Sequence, residues 1–380
     1  MKALCSIFAL ISVVPSISMA SPDLAPDPAA NVIYVRTNCS VANVDASESP
    51  IENCFESTSS AMTFARARTD ISKPLLIEFG PGEFKPVSCL LDGTNITFKG
   101  SGTEKTTLAA VSNLGSCTNA TKWTFHDLSV KSLSTAGNAV TWIGGGITEW
   151  HNVVLEGSNT GWYDTGGDSS GNQSCAPGEQ GTHRFFSSRI ISHGGNGKYG
   201  FLNSCGDDWL WGSEIQMITS TSDMIAIRSF GAGNRMHIYG SNIRAELADN
   251  ASSSGTLTAI KVFDGSELHS HGNGIDVVAK AGWNAIALNA ESGGQIHADS
   301  SAYSFGASTT GINITRILNN GGHVHAPYQW AAHSSTPVIT SMDGADIAVV
   351  TTPSSTPRFM IYSTACTSKW FDVGANACKL

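Results

Sequence analysis

Met236-His237-Ile238, Leu268-His269-Ser270, Ile296-His297-Ala298 and Val324-His325-Ala326 are four copies of one short segment, each with a histidine behind an apolar residue. From 237 to 269, 297 and 325, the histidines step by 32, 28 and 28 residues. Glycines precede the copies at Gly231, Gly233, Gly265, Gly293-Gly294 and Gly321-Gly322. A repeat of this length marks a solenoid, in which each coil buries its apolar face by stacking on its neighbours. A second strand recurs in the same register: Met224-Ile225-Ala226-Ile227-Arg228, Thr258-Ala259-Ile260-Lys261-Val262, Asn284-Ala285-Ile286-Ala287-Leu288 and Thr310-Gly311-Ile312-Asn313-Ile314. These alternate with period two, the pattern of half-buried strands and not of helices.

Two or three short strands per turn, joined by Gly, Ser and Asn turns, predict a right-handed, single-stranded parallel β-helix of about eight coils between residues 75 and 350. Earlier coils fit more loosely, from Trp123, Trp150, Arg184 and Trp209. The one amphipathic stretch, Phe55 to Arg68, predicts a short helix whose Ser/Thr start caps it. Its apolar residues Phe55, Ala61, Met62, Phe64 and Ala65 are expected to close the N-terminal end of the core. Such a cap keeps the first strand edge from pairing with other chains.

The chain has 380 residues, of which 41% are apolar and 14% charged, and it contains 39 glycines. Apolar content is sufficient for a continuous core. Met1 to Ala20 reads as a secretory signal, with Lys2, an apolar run from Ile7 to Val14, and Ser18-Met19-Ala20 as the cleavage site. That run is too short to span a bilayer. Residues 21–74 read as a linker and N-terminal cap, 75–350 as the β-helix, and 351–380 as a cysteine-containing C-terminal cap. Cys5 is expected to leave with the signal. The eight cysteines beyond it suit an oxidising, extracellular or periplasmic compartment, and the local pairing 39–54, 89–117, 175–205 and 366–378 is the simplest. No zinc-type Cys/His spacing is present. The formal charge of −9 argues against nucleic acid as a partner but allows an acidic polysaccharide held by local cations. The chain reads as a monomer.

Leu75-Leu76-Ile77-Glu78-Phe79-Gly80-Pro81-Gly82-Glu83-Phe84 is followed by Asn95-Ile96-Thr97-Phe98-Lys99-Gly100-Ser101-Gly102 and by Lys105-Thr106-Thr107-Leu108. With the strand at Val32 to Val35 and the helix after it, this opening resembles that of the pectin-lyase-like right-handed β-helix superfamily, above all its pectinesterase-like members. The resemblance covers residues 32 to 108. It implies the fold, and a range of functions from polysaccharide lyases, hydrolases, esterases and epimerases to tailspikes and adhesins. Asp223 to Arg228 resembles the arginine-bearing strand of pectinesterases without its glutamine or a downstream aspartate. Gly206-Asp207-Asp208 matches a motif of polygalacturonases, whose later histidine motif is missing here.

Candidate chemistry gathers in a few places. Asp207 and Asp208 are candidate acid/base groups or metal ligands, with Glu214, Asp164 or Asp168 as a second carboxyl. Sugar hydrolysis needs two carboxyls at a set separation, and adjacent strand residues point to opposite faces unless the chain bends. The alternative is a plain Cys-Gly-Asp-Asp turn. Arg228 and Lys261 are expected to point outward from adjacent coils about 4.8 Å apart, binding uronate carboxylates or being neutralised by a carboxylate such as Glu246. Arg228 is also a candidate base for a lyase. Lys198 on the preceding coil adds a third cation. Gly144 to Gly181 is the most irregular stretch and carries Tyr163 and Asp164, both candidate substrate contacts. Trp150, Trp162, Trp209 and Trp211 could stack on sugars or sit in the core. The histidine column reads as a stacked ladder, because a straight column does not converge as a metal site must. No cofactor motif is present, and calcium is the one ion left open. Function thus divides between a secreted enzyme acting on an acidic polysaccharide, as lyase, hydrolase or esterase, and a non-catalytic glycan-binding or surface-structural solenoid.

Overall fold

The computed structural model describes residues 31–39, 53–66, 73–88, 95–112, 122–132, 134, 137–143, 145–165, 180–194, 199–221, 223–299, 301–306, 311–320 and 322–325, together with strands at 346–350, 358–362, 370–372 and 377–378. The expected signal sequence, the loop at 166–179, Lys198 and Cys89, Cys117, Cys175 and Cys366 lie outside these residues.

Three parallel sheets wind about one axis. Each coil contributes one strand to sheet A, then one to sheet B, then one to sheet C. Among the described residues nine coils carry all three, from Leu75–Phe79 in sheet A to Asn313–Asn320 in sheet C. One further sheet A strand, His323–His325, ends the parallel ladder. Strand Asp346–Val350 joins it antiparallel, followed by Arg358–Tyr362, Trp370–Asp372 and Ala377–Cys378 in the same sense. Parallel strands joined by crossovers wind right-handed almost without exception. The protein is therefore the right-handed parallel β-helix expected from its repeats.

Period-two alternation sends every second side chain inward. In sheet A the inward column runs Phe98, Phe125, Trp150, Phe185, Leu210 and Ile238. Phe125 and Trp150 stack at 3.9 Å with planes 2° apart, and Phe98 lies 4.8 Å from Phe125. Trp150 and Trp162 are fully buried, so of the four tryptophans only Trp209 and Trp211 face outward. The helix is Thr58–Arg66, capped by Ser57 Oγ accepting from the Ser60 amide at 3.1 Å. Ala61, Met62 and Ala65 are buried beneath it, whereas Phe64 is 40% exposed and packs on Phe55. Cys39 and Cys54 form a disulfide that ties the strand before the helix to the chain leading into it. Cys205 is disulfide-bonded as well.

The corner from sheet A to sheet B is the regular one. From His126 onward each connection holds two residues, as Asp127 and Leu128 do between His126 and Ser129. The first of the two is left-handed at Asp127, Asn152, Ser187, Gly212, Gly240 and Gly272, with φ between 49° and 63°. The second is a buried residue, and four of these make a hydrogen-bonded ladder. Amides of Ser188, Ser213 and Ser241 donate to Ser213 Oγ (3.2 Å), Ser241 Oγ (3.0 Å) and Asn273 Oδ1 (2.8 Å) on the next coil. The serine hydroxyls donate in turn to the carbonyls of Phe186, Trp211 and Tyr239. The other two corners vary in length, and the segment between Asp164 and Gly181 is the longest in the region.

Candidate functional site

Sheet C places Tyr163, Leu202, Arg228, Lys261, Asn289 and Leu318 in one row across successive strands. The row lies between inward residues, since Ile227, Ile260 and Leu288 are buried in the core. Arg228 and Lys261 are direct register partners, as expected. Around them is a groove of about 630 Å³ lined by Asp223, Thr256, Thr258, Asn284 and Glu291 among others.

The two cations differ in surroundings. Lys261 Nζ is 2.8 Å from Glu291 Oε2, and Asn289 Nδ2 donates to Glu291 Oε1 at 3.0 Å. The neutralising carboxylate is thus Glu291. Glu246, the sequence-based candidate, is held by Arg244 at 2.9 and 3.1 Å on sheet B. Arg228 instead sits among rings. Its guanidinium carbon lies 4.3 Å from the Tyr199 ring centre and 4.7 Å from those of Phe230 and Phe263. Phe230 and Phe263 stack at 5.1 Å, and the guanidinium donates to the Tyr199 hydroxyl. Nε is buried without a hydrogen-bond partner, and among the described residues no carboxylate pairs with Arg228. Burial lowers its pKa, while Asp264, Tyr163 and Glu291 act in the opposite direction. An arginine stays charged under such a shift, so Arg228 presents a desolvated cation to the groove and is poorly suited to act as a base.

Among the described residues, the candidates Asp207, Asp208 and Asp164 do not join this site. Asp207 and Asp208 open the sheet A strand Gly206–Trp211 and point to opposite faces. Asp207 faces outward, with Oδ1 3.6 Å from His237 Nε2. Asp208 points inward and is fully buried, as is Asp164, which the sequence suggested as a substrate contact. Both lie near Gly206, where a Cβ would fall 2.8 Å from Asp164 Oδ2 and 3.2 Å from Asp208 Oδ1. Buried His183 completes the cluster, its Nε2 4.0 Å from Asp164 Oδ2. Trp150 Nε1 donates to Thr148 Oγ1 at 2.9 Å, and that hydroxyl meets His183 Nδ1 at 2.8 Å. Burial holds His183 down to about 3. Burial, then the charges of Asp164 and Asp207, pushes Asp208 well up. The interior cluster therefore holds a neutral imidazole at neutral pH, beside a carboxyl whose burial favours its protonated form. A solvent-borne polymer does not reach it.

Sheet A carries two outward columns. One runs Trp209, His237, His269 and His297, with His325 next in register. The other runs His126, His151, Phe186, Trp211, Tyr239 and His271. Rings stack along both: Trp209 on His237 at 3.8 Å, His237 on His269 at 4.9 Å, His269 on His297 at 4.7 Å, and Phe186 on Trp211 at 4.8 Å. Over His237, His269 and His297 the histidine column is thus the ladder expected. Its ring faces are taken up by neighbours, so solvent meets ring edges. Trp211, between Phe186 and Tyr239, offers no open face to a sugar, and His237 takes one face of Trp209.

Tyr199, Phe230, Phe263 and Glu291 were not singled out from the sequence. The repeating strands end later than the apolar pattern suggested, at Phe263 and Glu291. Continuing the alternation from Lys261 and Asn289 would have found both.

No family model matches the chain, and no curated protein matches it. Among solved structures it is similar to Escherichia coli ybhc, with 11% identity and a TM-score of 0.43 over 77% of this chain and 76% of that one. Pectate lyase Pel9A gives 13% identity and a TM-score of 0.45 over 77% and 79%. The A-module of Azotobacter vinelandii mannuronan C-5 epimerase AlgE6 gives 12% identity and a TM-score of 0.27 over 73% and 91%. The architecture itself, three parallel sheets wound about one core, fits a pectin-lyase-like β-helix.

Proposed function

We propose that this protein is an exported carbohydrate-active β-helix that engages a uronate-containing polysaccharide along the outer face of sheet C. The observation that carries this reading is Arg228, a charged guanidinium fixed by three rings, with no carboxylate partner among the described residues, in a groove lined by hydroxyl and amide groups. A sugar carboxylate supplies the missing anion through bidentate hydrogen bonds. Lys261, shared with Glu291, serves a neighbouring carboxylate or hydroxyl.

Among reaction classes the arrangement favours elimination over hydrolysis. Hydrolysis needs two carboxyls facing one bond; the Asp207–Asp208 pair is divided between the two faces of its strand, and of the groove carboxylates Glu291 is committed to Lys261, which leaves Asp223. Elimination needs a uronate carboxylate neutralised by a cation, so that the proton beside it can be removed. The glycosidic C–O bond then breaks, a C=C bond forms, and the departing oxygen takes a proton. Asp223 is the groove carboxylate without an ion pair among the described residues, and is our candidate for the proton acceptor. The separation of Asp207 and Asp208 from the groove favours a second reading, in which the same face binds uronan without cleaving it.

The test is to offer the oxidised, signal-free protein polygalacturonate, alginate and neutral dextran, with and without calcium. Ultraviolet absorbance of unsaturated products, reducing ends and retention on each polymer are followed together. Retention on uronans with rising absorbance is the expected result. Retention without product selects the binding reading, and no retention on any uronan overturns both.

A further inference from the structure

On sheet A, one coil brings Glu267 and His269 to the same outer face of strand Glu267–His271, and the next coil adds His297 in register with His269. Glu267 Oε1 lies 2.9 Å from His269 Nε2 and 3.5 Å from His297 Nε2, and the three ligand atoms all fall within 4.8 Å of one another. We propose that Glu267, His269 and His297 form a binding site for a divalent transition ion of the zinc class, apart from the sheet C groove.

The distances suit such an ion. Ligands about 2.0–2.1 Å from a tetrahedral zinc stand about 3.3 Å apart, between the two separations seen here. A column of imidazoles alone would not converge, and the carboxylate beside it supplies the third direction. Stacking fixes the donors before any ion arrives: the rings of His269 and His297 are 4.7 Å apart and 8° from parallel, so their Nε2 edges turn to the same carboxylate. Two imidazoles and one carboxylate select zinc-like ions over calcium or magnesium, which take oxygen. The three side chains are about a quarter to a third exposed, which leaves a fourth ligand position open to water. Bound there, the ion joins two successive coils.

The test titrates the chelator-stripped full chain with zinc chloride by calorimetry, with cobalt(II) followed by visible absorption, and with calcium as control. The expected result is one zinc equivalent, a tetrahedral cobalt spectrum and no calcium heat. His269→Asn and Glu267→Gln should each weaken zinc by at least about 100-fold, the upper end of what losing even a supporting partner does. His126→Asn, on the other outer column, should leave it unchanged. Glu267→Gln removes no ring from the stack, so it reports on the site even if His269→Asn disturbs folding. Absence of zinc binding, or binding that survives Glu267→Gln, overturns the proposal.

Discussion

Arg228 and Lys261 stand side by side on neighbouring strands, yet among the described residues only Lys261 has a carboxylate partner, Glu291 at 2.8 Å. Like charges a strand spacing apart repel, and one is answered by an anion while the other is answered by ring faces and a tyrosine hydroxyl. The asymmetry makes this face a receptor for one further negative charge.

Opposite effects follow at these two positions. Arg228→Ala should weaken retention on polygalacturonate by roughly 30-fold, the equivalent of about 2 kcal/mol for a charge-assisted contact. Glu291→Gln releases Lys261 and should strengthen retention, most at low salt. Affinity electrophoresis at two ionic strengths measures both, and a shift in the same direction for the two variants would sink the assignment.

The buried cluster and the outer imidazoles set a pH dependence with two limbs. His183 is held down to about 3 by burial, and His126 to about 4 by burial and then by His151. An unfolded histidine takes its proton near 6.5, so this stability is complete above that value and is lost as pH falls toward 3–4. Asp208 runs the other way: its folded pKa is raised, so stability is complete below the ordinary value of 3.8 and is lost as pH rises through the raised one. Asp208→Asn should therefore raise the melting temperature more at pH 8 than at pH 4, and His126→Gln should flatten the acid limb. Melting curves from pH 4 to 8 test both, and an Asp208→Asn gain confined to acid pH would contradict the argument.

The corner ladder should be sensitive at Asn273. Its amide accepts from the Ser241 amide and donates to Ile238 O and Ser270 Oγ, all at 2.8 Å, in a buried place. Asn273→Ala strands at least one buried donor and should cost about 3 kcal/mol. Asn273→Ser, which copies the preceding rungs, should cost less. Urea unfolding of the two variants compares them.

The repeat made much of this molecule readable. The histidine column and the adjacency of Arg228 and Lys261 follow from period and alternation alone, because stacked coils turn sequence offset into register. The Gly206-Asp207-Asp208 stretch was harder to place. It resembles a turn, but the turn lies just before it, closed by Asn203, whose side chain accepts from the Gly206 amide and donates to the Gly206 carbonyl. The strand then begins at Gly206, which sends Asp207 out and Asp208 in. Asp164 could not be placed from sequence because its burial depends on His183 and Asp208, register partners on the next two coils that only the winding brings beside it. Glu291 was missed for a simpler reason, that charged residues closing a strand look like the start of a loop.

The two-residue corner between sheets A and B gives the protein an uneven capacity for change. An extra residue there would break the left-handed step and misalign the buried ladder of Ser188, Ser213, Ser241 and Asn273. The other corners already accept connections of many lengths, and both border sheet C. From His126 onward, insertions that spare the core can thus accumulate along the rims of the Arg228 groove. A lineage built on this scaffold could reshape what enters that groove while its opposite edge stayed almost constant.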